Sequence, residues 1–135
     1  MSILKLKPTC KDYIWGGRRL AEEYGIEYDG DILAEAWELS CHPDGPSVIA
    51  NGPHAGKTLA EYIDAEGRDV LGTHCRRFRD FPILTKFIDA KQNLSIQVHP
   101  DNRYALKNEG QYCKTEMWYV MDAKEGAFLY YGFRK

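Results

Sequence analysis

The sequence has little that would point to a membrane, to nucleic acid or to the cell exterior. No apolar run approaches the roughly 18 residues that cross a bilayer, and the first residues lack the long apolar core of a signal peptide. The formal net charge is only −2, so charge gives no reason to expect nucleic acid or an anionic membrane as a partner. The four cysteines include no C-x-x-C pair, which favours free thiols in a reducing compartment. We therefore expect a cytoplasmic protein.

The length and apolar content are those of one folded domain. Of the 135 residues, 44% are hydrophobic and 13% aromatic, which is enough to build a core. We predict a single domain over residues 1–135, mainly β with small helices, in the α+β class. Strands are predicted, in chain order, at 3–7, 33–40, 47–50, 83–89, 94–99, 114–121 and 127–133. Helices are predicted near 18–24, 59–65, within 68–78 and after Asp101 as far as about Asn108.

The stretch LSIQVH at 94–99 places polar side chains where a strand would carry them on one face. Ser95, Gln97 and His99 alternate with apolar residues, so the three polar side chains share one face of an extended segment. With the apolar face in a core, the polar face is either solvent surface or the wall of a polar cavity. The residues of this stretch alone do not decide between the two.

The stretch KTEMWYVM at 114–121 has the same alternation. Lys114, Glu116 and Trp118 fall on one face. If this strand and the strand of Gln97 and His99 are neighbours, one concave surface carries an imidazole, a carboxylate, an amide and an ammonium group. Imidazole nitrogen and carboxylate oxygen suit Zn²⁺, Fe²⁺ or Mn²⁺. Polar residues on the wet face of any half-buried strand are the alternative, and no H-E-x-x-H or cysteine-rich signature favours the metal.

Several blocks of sequence resemble one enzyme family. NLSIQVHPDNRYA followed by KTEMWYV resembles the paired signature of type I mannose-6-phosphate isomerase (phosphomannose isomerase), a family of zinc-dependent cupin enzymes. YIWGG at 13–17, AEAWELSCHPDGPS at 34–47 and FPILTKFIDAKQNLSIQVHPD at 81–101 resemble the N-terminal part of that family in the same order. The resemblance implies a cupin-type β-barrel or jelly roll, incomplete in this chain.

The resemblance also implies a ligand set for zinc. The matching residues are Gln97, His99 and Glu116, which agrees with the face-sharing argument. The family's fourth ligand is a later histidine and its substrate-side arginine is also later, but no histidine here follows Glu116. We expect a fragment of a longer enzyme; a naturally short relative, or replacement by an upstream histidine such as His42, are the alternatives.

The family interconverts mannose 6-phosphate and fructose 6-phosphate, so the implied partner is a small sugar phosphate. Lys114 would supply positive charge, Lys86 would line the same cavity, and Glu35 is a candidate base, although a solvent-facing glutamate is an equal alternative.

Ser95, Trp15 and Trp118 are candidates for contact with the sugar phosphate. The competing functions are a non-catalytic sugar-phosphate-binding or regulatory cupin and an inactive truncated domain. We expect the isolated chain to bind zinc weakly or not at all, to lack appreciable isomerase activity and to tend to self-associate through unpaired strand edges.

Overall fold

The computed structural model describes residues 3–132. Its contacts divide the chain between Leu94 and Ser95 into two compact units, which are described separately below. The prediction of a single domain stays a prediction. Among the described residues, no helix is both long and apolar enough to cross a membrane.

The first unit contains two small antiparallel sheets. One pairs β1 with β4, and the other has the strand order β2-β3-β5. The strands are β1 Leu6–Lys7, β2 Thr9–Lys11, β3 Glu35–Leu39, β4 Val48–Ile49 and β5 Thr85–Ile88. The helices are α1 Arg19–Glu22 and α2 Leu59–Glu66, followed by 3₁₀ turns at Arg68–Leu71 and Thr73–Arg77. The α+β class is confirmed, and neither sheet closes into a barrel within residues 3–132.

The core of the first unit lies on one face of the three-stranded sheet. Leu20, Leu33 and Ala36 form its buried centre, and Cys10 and Phe87 pack against them. Cys10, Ala36 and Phe87 are paired across the three strands, so they occupy the same face. Because strand side chains alternate, the neighbours of Ala36 on β3 must lie on the opposite face.

The glycines of the YIWGG block permit a close approach of two chain segments. A Cβ atom on Gly16 would lie 2.4 Å from the Cα of Ala34, a distance that no side chain tolerates. Beside it, the carbonyl of Trp15 accepts hydrogen bonds from the backbone N–H groups of Lys91 and Gln92, at 3.0 and 2.9 Å. This block therefore ties the start of the chain to the segments that precede β3 and follow β5.

The predicted helix starts are confirmed. Thr58 accepts a hydrogen bond from the Glu61 backbone N–H at 3.2 Å, and the Glu61 carboxylate accepts from the Thr58 N–H at 2.7 Å. In the second unit, the Asp101 carboxylate accepts from the Tyr104 N–H at 2.8 Å and begins α3 at Asn102–Asn108. Each start is set by residues three positions apart, so the sequence signal is local.

The three strands predicted in the second unit are wrong for the residues described. The segments 94–99, 114–121 and 127–132 form no hydrogen-bonded ladder there, and Phe133, the last residue of the third prediction, lies outside the described residues. Alternation is a property of side chains, whereas a strand also needs a neighbour that accepts and donates its backbone hydrogen bonds. None of the described residues supplies that neighbour.

Candidate functional site

One polar cluster lies within the second unit, and we call His99, Lys114, Glu116 and Trp118 the Glu116 cluster. The Nε2 atom of His99 is 3.2 Å from Oε2 of Glu116, and the ammonium of Lys114 contacts Oε1 of the same carboxylate. The indole N–H of Trp118 donates a long hydrogen bond of 3.5 Å to Oε2. The carboxylate is thus surrounded by three donors on segments that the sequence placed on one face.

The Glu116 side chain is less exposed than the side chains next to it. The Glu116 side chain is 26% exposed, whereas Met117 and Tyr119, on the alternate face, are 91% and 85% exposed. The partial burial of Glu116 by itself raises the pKa of its carboxyl. The hydrogen bond and charge of Lys114, with hydrogen bonds from Trp118 and His99, outweigh it and hold the pKa below its usual range. The group is therefore a carboxylate at neutral pH.

The separation of the nearest His99 and Glu116 atoms is compatible with one zinc ion between them. Two ligands bound tetrahedrally at about 2.05 Å from zinc lie about 3.3 Å apart, and the His99 and Glu116 atoms are 3.2 Å apart. The amide nitrogen of Gln97 donates to Oγ of Ser95 at 3.3 Å, so the amide oxygen is the atom that a metal would take. Residues 3–132 contain no group of three or more His, Cys, Asp and Glu side chains suited to a metal. Gln97 is not of those types, so its membership in the site stays a prediction.

A second polar cluster lies within the first unit, and we call Lys11, Glu35, Trp37 and Lys86 the Glu35 cluster. The Glu35 carboxylate accepts from Nζ of Lys86 at 2.8 Å through Oε1 and from the Trp37 indole N–H at 2.7 Å through Oε2. The side chain of Glu35 is 6% exposed and that of Lys86 is 22% exposed. This is a largely buried ion pair with a neutral donor on its second oxygen.

Strand register places the members of the Glu35 cluster together. Trp37 on β3 is directly opposite Lys86 on β5, and Glu35 is directly opposite Lys11 on β2. All four residues lie on the face away from the core because Ala36, between Glu35 and Trp37, faces the core. Side chains on diagonal positions of neighbouring strands are within reach of one another, so Glu35 meets Lys86.

The turn after β3 packs against Trp37. A Cβ atom on Gly45 would lie 2.5 Å from the Trp37 ring, and the ring of His42 meets the Trp37 ring edge-on with centroids 5.7 Å apart. The turn itself is closed by Ser47, whose Oγ accepts from the Ser40 N–H at 2.9 Å. Both serines are fully buried, so the LSCHPDGPS segment is a rigid support for the indole.

Trp15 lies in the first unit and stacks on Tyr13, with ring centroids 5.6 Å apart and planes 24° from parallel. The pKa of Tyr13 is raised by its partial burial and then by the negative charges of Glu35, Asp44 and Asp12. The Tyr13 hydroxyl thus remains protonated at neutral pH, and an aromatic pair lies within electrostatic reach of the Glu35 cluster.

The structure brings together some of the residues predicted from the sequence and adds two residues to the Glu35 cluster. Lys114, Glu116, His99 and Trp118 meet in one unit, and Glu35 meets Lys86 in the other. Ser95 contacts Gln97. The sequence interpretation missed Trp37 and Lys11 as members of the Glu35 cluster. A usable signal was present, because Glu-x-Trp on an alternating segment puts the carboxylate and the indole on one face.

Comparison with known proteins gives a consistent result. Residues 3–128 match the family described as phosphomannose isomerase type I, catalytic domain. The mannose-6-phosphate isomerase of Streptococcus mutans is 48% identical over 129 residues, which make up 96% of this chain and 40% of that protein.

Solved structures show the same relationship and confirm the predicted fold class. The mannose 6-phosphate isomerase from Bacillus subtilis matches with a TM-score of 0.83 at 45% identity, covering 93% of this chain and 39% of that one. A zinc-bound mannose 6-phosphate isomerase matches with a TM-score of 0.67 at 30% identity, covering 82% of this chain and 28% of that one. This chain spans about 40% of the length of the Streptococcus mutans and Bacillus subtilis proteins.

Proposed function

We propose, from the premise that this chain belongs to the type I phosphomannose isomerase family, that it contributes to the active site of a zinc-dependent aldose–ketose isomerase. Its substrate would be mannose 6-phosphate, interconverted with fructose 6-phosphate. The observation that carries the proposal is the Glu116 cluster, in which a lysine and a histidine converge on one carboxylate.

The proposed reaction moves a proton between C1 and C2 of the sugar through an enediolate. Negative charge then develops on O1 and O2, and a site that holds positive charge there lowers the barrier. Zinc bound by Gln97, His99 and Glu116 would supply part of that charge. The other requirement is a group that accepts and returns the proton.

Lys114 would supply positive charge beside the proposed metal. Its ammonium contacts Glu116, one of the proposed ligands, so a sugar oxygen brought to the metal would also meet this lysine. Lys86, fixed by Glu35 in the first unit, is a second candidate for binding the anionic substrate. Glu35 is the carboxylate that the sequence offered as a base.

Ser95, Trp15 and Trp118 remain the candidates for substrate contact. The Ser95 hydroxyl is a polar group beside Gln97 and could donate to a phosphate or sugar oxygen. The Trp15 and Trp118 rings offer flat apolar surfaces of the kind that pack on a sugar ring. Trp118 is 51% exposed, so its ring is accessible.

The test is an isomerase assay on the protein that carries this chain. The metal-free protein should be inactive and should regain turnover when Zn²⁺ is added. Lys114→Ala should lower kcat by about a hundredfold or more, as loss of a donor to a developing oxyanion does. Lys107→Ala, which removes an exposed lysine from α3 of the same unit, is the matched control and should retain activity.

A different outcome would support the non-catalytic alternative. If mannose 6-phosphate binds in a calorimetric titration but fructose 6-phosphate never forms, the protein is a sugar-phosphate-binding or regulatory cupin. Full turnover by Lys114→Ala would remove that lysine from the mechanism. Activity that persists in the metal-free protein would contradict zinc dependence.

A further inference from the structure

The Glu35 carboxylate has both of its oxygens occupied. Oε1 accepts from the ammonium of Lys86 and Oε2 accepts from the indole N–H of Trp37. Glu35 is buried, so water is poorly placed to replace either donor. Hydrogen bonds to an ionised carboxylate are stronger than bonds between neutral groups. The carboxylate is therefore a fixed acceptor for two donors.

A role as general base would conflict with these contacts. Each Glu35 oxygen keeps a second lone pair, but the side chain is only 6% exposed, so a sugar carbon has little access to it. Protonating the carboxylate would also remove the charge that holds the Lys86 ammonium and would weaken both hydrogen bonds. The contacts suit a counter-charge that stays in place while Lys86 meets the substrate.

The indole of Trp37 is itself held from several sides. Gly45 packs directly against the ring and His42 meets its edge. The Lys11 ammonium lies 4.9 Å from the ring centroid, within the range of a cation–π contact. The Lys11 ammonium also donates to the Asp44 carbonyl in the same turn, at 2.6 Å. The turn fixes the indole, the indole fixes the carboxylate, and the carboxylate fixes the Lys86 ammonium.

We propose that Trp37 is a positioning residue for Lys86 and acts through Glu35, which serves as a counter-charge and not as the general base. The inference deepens the proposed function and rests on it, because the ammonium so placed would meet the anionic sugar phosphate or its enediolate. Gly45 belongs to the same arrangement, since only a residue without a Cβ lets the turn approach the indole.

The first arm of the test does not depend on turnover. The exchange rate of the Lys86 ammonium protons with water is measured by NMR in ¹⁵N-lysine-labelled protein, with the signal assigned by Lys86→Met. Trp37→Phe keeps an aromatic ring but removes the N–H, and Gly45→Ala displaces the ring without touching Glu35 or Lys86. Each should accelerate exchange by about tenfold or more, as expected when a hydrogen bond that orients a charged group is lost.

A matched control lies on the same strand. Glu38→Gln neutralises another partly buried carboxylate of β3 and should leave the Lys86 exchange rate unchanged. If Trp37→Phe and Gly45→Ala also leave that rate unchanged, the positioning role is wrong.

The second arm is kinetic. Trp37→Phe should lower kcat by about tenfold and leave KM within about twofold. In a Lys86→Met background the same substitution should have no further effect on kcat, because the indole acts only through that lysine. If Trp37 had only a structural role, Trp37→Phe and Lys86→Met would instead lower kcat by independent factors that multiply. Glu35→Gln should keep the acid limb of the pH profile of kcat/KM, and loss of that limb would restore Glu35 as the base.

The two arms separate failure of the inference from failure of the proposed function. If the wild-type protein converts no mannose 6-phosphate, the proposed isomerase function fails. The exchange measurement then still decides whether Trp37 and Gly45 hold the Lys86 ammonium. If turnover is normal and the exchange rates do not respond, the isomerase stands and the positioning role of Trp37 falls.

Discussion

Removing one member of the buried pair between Glu35 and Lys86 should cost more free energy of unfolding than removing both. In Lys86→Met the Glu35 carboxylate stays buried. It has lost the Lys86 ammonium and keeps the hydrogen bond from the Trp37 indole. Breaking a buried pair costs about 3–5 kcal/mol, and the 22% exposure of Lys86 admits some water, so we expect about 3 kcal/mol.

The other two variants complete a double-mutant cycle. Glu35→Gln leaves an ammonium that can reach water and should cost about 2 kcal/mol. In the double variant the glutamine oxygen can still accept from the indole of Trp37, so we expect about 1–2 kcal/mol. The resulting coupling energy is about 3–4 kcal/mol. Two unit charges 2.8 Å apart would interact by about 6 kcal/mol at an effective dielectric constant of about 20, so the expected coupling lies within the electrostatic limit.

The assay is urea denaturation followed by circular dichroism, at one pH and in low and high salt. Arg76 and Asp69 form the control pair, because their atoms are 3.5 Å apart with side chains 70% and 91% exposed. Their coupling should be about 0–1 kcal/mol and should vanish in salt, whereas the buried coupling should persist. Additivity of the Glu35 and Lys86 variants within about 0.5 kcal/mol would refute the argument that they form a buried pair.

Three further predictions concern the metal, a helix start and the exposed apolar face. In the protein that carries this chain, Glu116→Gln should weaken Zn²⁺ binding by about tenfold or more, measured by calorimetric titration; unchanged affinity would remove Glu116 from the ligand set. Thr58→Ala should lower the free energy of unfolding by about 1 kcal/mol in urea denaturation. The backbone N–H of Thr58 and, to a smaller extent, its hydroxyl lower the pKa of Glu61. Alanine removes only the hydroxyl, so the Thr58→Ala effect should become smaller, without disappearing, as pH falls through the lowered pKa of Glu61; an effect that grows as pH falls would contradict this. The double substitution Met117→Lys with Tyr119→Lys should lower the apparent mass of the chain in gel filtration at high concentration, because both native side chains are exposed apolar surface. An unchanged elution volume would exclude these two side chains from self-association.

Local signals in the sequence were sufficient for two helix starts and for two strands of the first unit. The capping box of Thr58 and Glu61 and the cap at Asp101 were predicted from residues three positions apart. β3 and β5 were predicted from alternating and β-branched runs. Each of these signals depends on neighbours along the chain, so no knowledge of the tertiary fold was needed.

The strands predicted beyond Leu94 failed for a physical reason. The alternation is present in the sequence, and the side chain of Glu116 is 26% exposed where Met117 is 91% exposed. A strand assignment also requires backbone partners, and sequence periodicity carries no information about whether a partner is present. Alternation therefore correctly predicted that Lys114 and Glu116 share a face. It was not sufficient to predict a hydrogen-bonded ladder.

The contact between Glu35 and Lys86 could not be derived from the sequence. The two residues are 51 positions apart, and their meeting depends on the register of β3 against β5. A shift of one residue would have moved one of them to the core face. The sequence could identify Lys86 as unusual on an apolar strand, but it could not name the partner of that lysine.

The two clusters use the same local arrangement with different chemical results. In each, an indole two residues further along the chain donates to one carboxylate oxygen, and a lysine contacts the other. Glu35 is buried and accepts from these two donors, which suits a fixed counter-charge. Glu116 is more exposed and also faces the imidazole of His99 at 3.2 Å, a separation compatible with two ligands of one zinc ion. Burial and the nearby histidine, and not the Glu-x-Trp pattern itself, therefore distinguish the proposed zinc ligand Glu116 from the proposed counter-charge Glu35.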